Sequence, residues 1–221
     1  MRDKRILFQG DSITDGNRYK EEDTRWDGNH QIGHSYAFTV TGYMMSHYTE
    51  QHLRFYNRGV SGNTVLDLER RWEDASLLMN PDVLSILVGT NDMSHCEPME
   101  RPEDYFPLFD STYRSILTRS RENNPDLKLI MLEPFRLHAT KNESEEKYRR
   151  RRELLQGIQD MERKIAADFG ATFIPLQNVF DEACNRREAS YWSWDGIHPT
   201  EAGHYLIAQE WIRHAEKVVL E

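Results

Sequence analysis

Five short apolar runs recur along the chain, at 5–8 (RILF), 53–60 (LRFYNRGV), 82–89 (DVLSILVG), 127–134 (LKLIMLEP) and 171–176 (ATFIPL). Each has strand length, and segments of helical periodicity separate them. Val65, Leu68 and Trp72 form one apolar stripe, and Leu154, Ile158, Met161 and Ile165 form another. Near the chain end Leu206, Ile207, Trp211, Ala215 and Val218 repeat at the same spacing, in a helix that Pro199 and Thr200 can open. This strand–helix alternation predicts an α/β fold, a parallel sheet with helices on both faces. Two intervals are polar. The charged run ESEEKYRRRREL from Glu143 reads as a solvated helix face laced with i,i+4 pairs, and the stretch from Arg136 to Lys147 reads as a surface loop. Without an internal repeat or a linker, the 221 residues suit one domain over 1–221.

Charge narrows the partners. With 28 Lys and Arg against 37 Asp and Glu, the net charge is −9, which does not favour nucleic acid or an anionic membrane face. The mean hydropathy is −0.78, and no run approaches the ~20 apolar residues of a membrane span. The opening MRDKRILFQGDS has too short an apolar core for a signal peptide, so a cytoplasmic location is expected. The expected partner is a small neutral molecule or another protein. Cys96 and Cys184 show neither metal-knuckle nor redox-pair spacing and read as free thiols. Loop tyrosines and tryptophans, and Trp211 in the last helix, would suit burial against a second copy, so a homo-oligomer is expected.

Unusual chemistry sits where strands end. In GDSITDGNRY, from Gly10, Ser12 follows the first apolar run, where it or Asp11 could cap a helix or Ser12 could react. NRGVSGNT carries Gly59 and Gly62, which permit close approach of backbone to a ligand; GTNDMSH carries Asn91; YWSWDGIHPT sets Asp195 three residues before His198. A serine hydroxyl needs an adjacent base, and that base needs a group to fix its tautomer, roles that His198 and Asp195 can fill for Ser12. Donors for a developing oxyanion are then the N–H groups of Ser12 and Gly59 and the amide of Asn91. Asp92 and His95, with Asp195 and His198, are also the ligand types of a hydrolytic metal site. The serine set is complete without a metal, however, so no cofactor is expected, and Asp92 reads as shaping the turn that presents Asn91, with His95 at the rim. A pocket that only binds is the non-enzymatic alternative. Trp192, Trp194 and Trp26 are candidate sugar contacts, though aromatic residues there can equally be core.

Taken together, GDS at 10–12, Gly59 in NRGVSG, GTND at 89–92 and DGIH at 195–198 resemble the four signature blocks of the SGNH hydrolase superfamily, the GDSL esterases and lipases. Ile13 stands where the eponymous motif has Leu. The resemblance implies a flavodoxin-like three-layer sandwich with a five-stranded parallel sheet. It also implies Ser12 as nucleophile, Gly59 and Asn91 as oxyanion donors, His198 as base and Asp195 as its orienting acid. The run FYNRGVSGNTVLDLERRW is most similar to the carbohydrate acetylesterases of that superfamily, particularly the acetylxylan type. This implies removal of O-acetyl groups from acetylated xylo-oligosaccharides; lysophospholipase, thioesterase or general short-chain esterase action is the alternative. The polar loops near these blocks favour a small acyl group on a polar carrier over a long chain.

Overall fold

The computed structural model describes residues 2–20, 28–140 and 142–221; Trp26 lies outside them. Each apolar run coincides with a strand, the first extending beyond its run at both ends: β1 (Lys4–Gly10), β2 (Leu53–Asn57), β3 (Val83–Leu87), β4 (Lys128–Leu132) and β5 (Thr172–Ile174). They pair in parallel in the order β2-β1-β3-β4-β5, with Ile6 of β1 opposite both Phe55 and Val83. The helices among the described residues are, in chain order, α1 (Ser12–Asp15), α2 (Gly28–Ile32), α3 (Tyr36–His47), α4 (Val65–Arg70), α5 (Thr90–Cys96), α6 (Phe106–Asn123), α7 (Glu145–Asp168), α8 (Gln177–Cys184), α9 (Ala189–Trp192) and α10 (Glu201–Leu220).

Strand residues alternate between two apolar layers, as the period of two requires. Ile6, Phe8, Val83, Leu87, Ile130 and Leu132 face α3, α8 and α10. Leu7, Leu84, Ile86, Leu129 and Met131 face α4, α6 and α7. The result is the three-layer, flavodoxin-like sandwich. Trp211 lies at the centre of the first layer, fully buried, 5.8 Å from the Phe8 ring, with its indole N–H donating to Ser85 Oγ at 3.0 Å. It is therefore unavailable to a second copy, which corrects the expectation that set it at an interface; cutting it back to Ala would cost about 3–5 kcal/mol.

Other helix faces shift by one position. In α7 the innermost residues are Leu155, Ile158 and Ile165, with Leu154 and Met161 packed at the flank. In α10 the last buried position is Val219 instead of Val218. An apolar stripe covers about 100° of helix, so a neighbouring position falls on its margin. The stretch from Arg136 is not wholly a surface loop: Arg136 and Leu137 are buried, and Glu143 pairs with Arg136 at 2.5 Å and with Arg151 at 3.0 Å. Arg151 also pairs with Glu97 at 2.7 Å, so this end of the charged run is an internal ion network. Cys96 and Cys184 are free thiols. Among the described residues no helix is long and apolar enough to cross a membrane.

Candidate active site

The strand order places β1 beside β3 while the chain leaves them toward opposite edges, which opens a crevice at their carboxyl ends. Ser12 follows β1 and Asn91 follows β3, so both stand at that crevice. The capping question is settled by division of labour. Asp11, in extended conformation, caps α1 by accepting the Ile13 N–H at 2.9 Å. Ser12, first residue of the helix, is left to direct its hydroxyl outward, where Oγ lies 2.8 Å from His198 Nε2.

His198 Nδ1 in turn lies 2.6 Å from Asp195 Oδ2. Asp195 Oδ1 accepts the backbone N–H groups of Ile197 (2.9 Å) and His198 (2.7 Å), so the carboxylate builds the turn that holds its own partner. The turn is anchored on both sides: Ser193 Oγ donates to His198 O at 2.9 Å, and Leu137 N–H donates to Gly196 O at 2.9 Å. A carboxylate only accepts, so the imidazole proton sits on Nδ1 and the Nε2 lone pair receives the Ser12 hydroxyl. The bond to Asp195 raises the His198 pKa above its ordinary value, against the opposing effect of partial burial. Burial pulls Asp195 upward, but its bonds from His198 and the Ile197 N–H outweigh that and keep the carboxyl below the usual range.

Two oxyanion candidates behave differently from a third. The Ser12 N–H, in the first turn of α1, has no partner among the described residues. The Asn91 amide rests on Asn63 O at 3.1 Å and Asp11 Oδ2 at 3.4 Å, weak contacts that a substrate oxygen can replace. Gly59, by contrast, has its N–H committed to Asn57 Oδ1 at 2.9 Å and its carbonyl to Arg18 Nε at 3.0 Å. A Cβ at Gly59 would lie 2.5 Å from Asp15 N, so this glycine exists to let the loop press against α1. The open glycine is Gly62: exposed, at φ +83°, with nothing within 4 Å of a Cβ position and no partner for its N–H among the described residues. It adjoins Asn63, whose carbonyl holds the Asn91 amide. The Gly59 N–H is thus occupied, and the open N–H of this loop is that of Gly62.

The tryptophans separate as well. Trp194 is 63% exposed and its ring lies parallel to His198, 5.3 Å between centroids and 15° between planes. Trp192, expected to touch substrate, is only 7% exposed. Helix α9 turns it into the first apolar layer, its N–H donates to Arg187 O at 3.3 Å, and Arg186 covers its ring at 5.1 Å. It is a core residue. Asp92 is buried and accepts the Val65 N–H (3.0 Å) and the Tyr105 hydroxyl (2.8 Å), so it fastens α4 to α5 behind Asn91. His95 is exposed beside Tyr105. A groove of about 810 Å³ lined by Phe38, Met45, Phe55 and Tyr56 runs along the outer edge of β2, and Ser12, Asp195 and His198 do not line it.

Sequence reasoning missed Asn57, whose Nδ2 also donates to Thr14 O (2.6 Å) and Ile32 O (2.8 Å) and so joins α1, α2 and the Gly59 loop. Its spacing two residues before a glycine is an Asx-turn signal that was there to use. It also missed Asp15, which accepts the Ser61 N–H at 2.9 Å and pairs with Lys20 at 3.0 Å.

A flavodoxin-like sandwich with a hydrogen-bonded Ser–His–Asp row at its switch point defines a serine-hydrolase type of site. Residues 8–206 match the model of the GDSL-like lipase/acylhydrolase family, and the chain is 32% identical over 214 residues to the acetylxylan esterase of Geobacillus stearothermophilus, covering 95% of this chain and 93% of that one. The chain belongs to the GDSL-like lipase/acylhydrolase family and is a carboxylic ester hydrolase. A crystal structure from Parabacteroides merdae ATCC 43184, assigned to the GDSL-like lipases, superposes with a TM-score of 0.87 at 33% identity over 96% of this chain and 95% of that one. The crystal structure of the Geobacillus esterase gives a TM-score of 0.80 at 28% identity, over 95% and 93%. Catalytic mutants of that esterase replace an aspartate or a serine by alanine.

Proposed function

We propose that this esterase removes O-acetyl groups from carbohydrates, small acetylated xylo-oligosaccharides in particular, through an acyl-enzyme on Ser12. His198 takes the Ser12 proton as Oγ attacks the ester carbonyl, and Asp195 steadies the imidazolium. The oxyanion is met by the N–H groups of Ser12 and Gly62 and by the Asn91 amide, which leaves its resting contacts for a charged acceptor. His198 then gives its proton to the departing alcohol, and a water molecule repeats the sequence to release acetate.

The observation that carries the carbohydrate reading is Trp194. A mostly exposed indole lying flush with the His198 ring is a platform on which the apolar face of a sugar ring can stack while its ester reaches Ser12. The likeness to an acetylxylan esterase supports the same substrate class. A long acyl chain would need a contiguous apolar mouth, whereas Asp11 precedes Ser12 in the chain and its Oδ2 lies 3.4 Å from the Asn91 amide.

Steady-state rates on matched aryl esters, followed by acetate release from acetylated xylose and short xylo-oligosaccharides, test the proposal. Acetyl should be preferred over octanoyl by at least ~10² in kcat/KM. Ser12→Ala should lower kcat by at least ~10³. A profile rising toward octanoyl overturns the carbohydrate reading, and a Ser12→Ala enzyme keeping a large share of its activity overturns the nucleophile.

A further inference from the structure

Beneath the turn that carries Asn91 lies a buried carboxyl group that the chemistry above leaves unused. Glu162, on the inward face of α7, is fully buried, and neither carboxyl oxygen has a hydrogen-bond partner. The Tyr113 hydroxyl of α6 and the Thr90 hydroxyl at the start of α5 are likewise buried and unpartnered. Glu162 Oε1 stands 3.3 Å from the point where a side chain at Gly89 would begin, and Pro134 and Ile158 close the same space. Gly89 and Thr90 lead directly into Asn91.

The groups that bear on Glu162 are Asp92 of α5, Glu133 after β4, Asp11 at the end of β1 and the Tyr113 hydroxyl; none is a cation. Glu133 is already occupied by Arg163 and the N–H groups of Leu176 and Gln177, and Asp92 by Val65 and Tyr105. A carboxylate in such a place has no counter-charge and accepts no hydrogen bond, so the group is held as the neutral acid, with an O–H to give and a carbonyl to accept. Burial, with repulsion from the neighbouring carboxyls, acts in the same direction and pushes its pKa well above the ordinary value. Its buried companions on α7 are Leu155, Ile158, Ile165 and Ala166, with Gln159, whose amide donates to Pro134 O at 2.7 Å.

We propose that Glu162 is a positioning residue for ester hydrolysis: it supports the Gly89–Asn91 turn from below and keeps the Asn91 amide aimed at the oxyanion. This rests on the reading of Asn91 as an oxyanion donor. The support is steric: the carboxyl fills the space under Gly89, which Pro134 and Ile158 close on its other sides.

The test compares Glu162→Gln, Glu162→Asp and Glu162→Leu with wild type and with Asn91→Ala on an aryl acetate, and repeats Glu162→Asp in the Asn91→Ala background. Gln is neutral and nearly isosteric, so it should keep kcat within about twofold of wild type. Asp withdraws the carboxyl by one methylene and Leu abolishes it; both should lower kcat roughly 10- to 100-fold while KM stays within about twofold. With Asn91 already replaced, Glu162→Asp should lower kcat no further. Wild-type kcat in the Asp variant, a Gln variant as impaired as Asp, or a loss carried by KM overturns the proposal. If the Leu variant does not fold, the Asp and Gln variants decide. Silent Glu162 variants beside a crippled Asn91→Ala enzyme overturn this proposal alone, whereas an Asn91→Ala enzyme with wild-type kcat overturns the oxyanion reading beneath it.

Discussion

At the scale of single residues, the site turns on what each side chain is spared from doing. Asp11 takes the capping role, so the Ser12 hydroxyl answers only to His198. Asp195 raises the His198 pKa, and a base must be unprotonated to accept the serine proton. Activity should therefore rise with pH through that raised value. Asp195→Asn removes the charge that raises it and can donate to Nδ1, which favours the wrong tautomer. Its acid limb should move to lower pH while kcat falls by about 10³–10⁴; pH profiles of kcat/KM would show both, and an unmoved limb would mean that Asp195 does not set the His198 pKa. The row of Ser12, Asp195 and His198 was legible in the sequence because the types are chemically rare in combination and each follows a turn signal. Trp192 was not, because a tryptophan two residues from Trp194 looks equally available until α9 is seen to turn it inward.

At the scale of elements, the loop after β2 shows why spacing misleads. Gly59 and Gly62 lie three residues apart and look alike in sequence. One is pressed against the backbone of α1 and the other stands open at φ +83°. Gly59→Ala should therefore be a stability lesion, costing about 1–3 kcal/mol as a Cβ is driven into Asp15 N. Gly62→Ala should cost about 1–2 kcal/mol for a left-handed alanine and show its main effect in kcat, as the loop shifts its N–H away from the oxyanion. Urea midpoints and kcat for the two variants should diverge in this way, and a Gly59→Ala protein with a wild-type midpoint would refute the packing. The strands were legible because buried parallel strands leave continuous apolar runs; their ends were not. β2 stops at Asn57, three residues before its run does, because the Asn57 side chain captures the Gly59 N–H. The one-residue drift of the faces of α7 and α10 has a similar origin: a stripe shows its axis in sequence, while its centre is chosen by the sheet it meets.

At the scale of the whole molecule, buried carboxyls gather where β1 and α5 end and begin. Burial pushes Asp11 to about 7 and Asp92 to about 6. An acid whose folded pKa is raised keeps its proton in the native state after the unfolded chain has released it, so its contribution falls as pH rises from about 4 to the folded value. Asp11→Asn keeps the cap on Ile13 and removes that loss. Relative to wild type it should gain stability as pH rises from about 5 to 7, by up to about 1.4 kcal/mol per pH unit, and plateau above; parallel urea midpoints across that range check it, and a constant gap would refute the titration. None of this was legible beforehand, because a sequence shows an aspartate's neighbours in the chain and not the layers folded over it. The bond between Ser12 and His198 spans 186 residues, joining the first strand's exit to the turn that precedes the last helix. Ester turnover is therefore a clock for completed folding. A chain emerging from the ribosome stays silent until the segment bearing His198 is out, and in refolding the hydrolysis signal trails the appearance of helices by the time needed to close that long loop. A chromogenic acetate present from the first millisecond turns the protein into its own stopwatch.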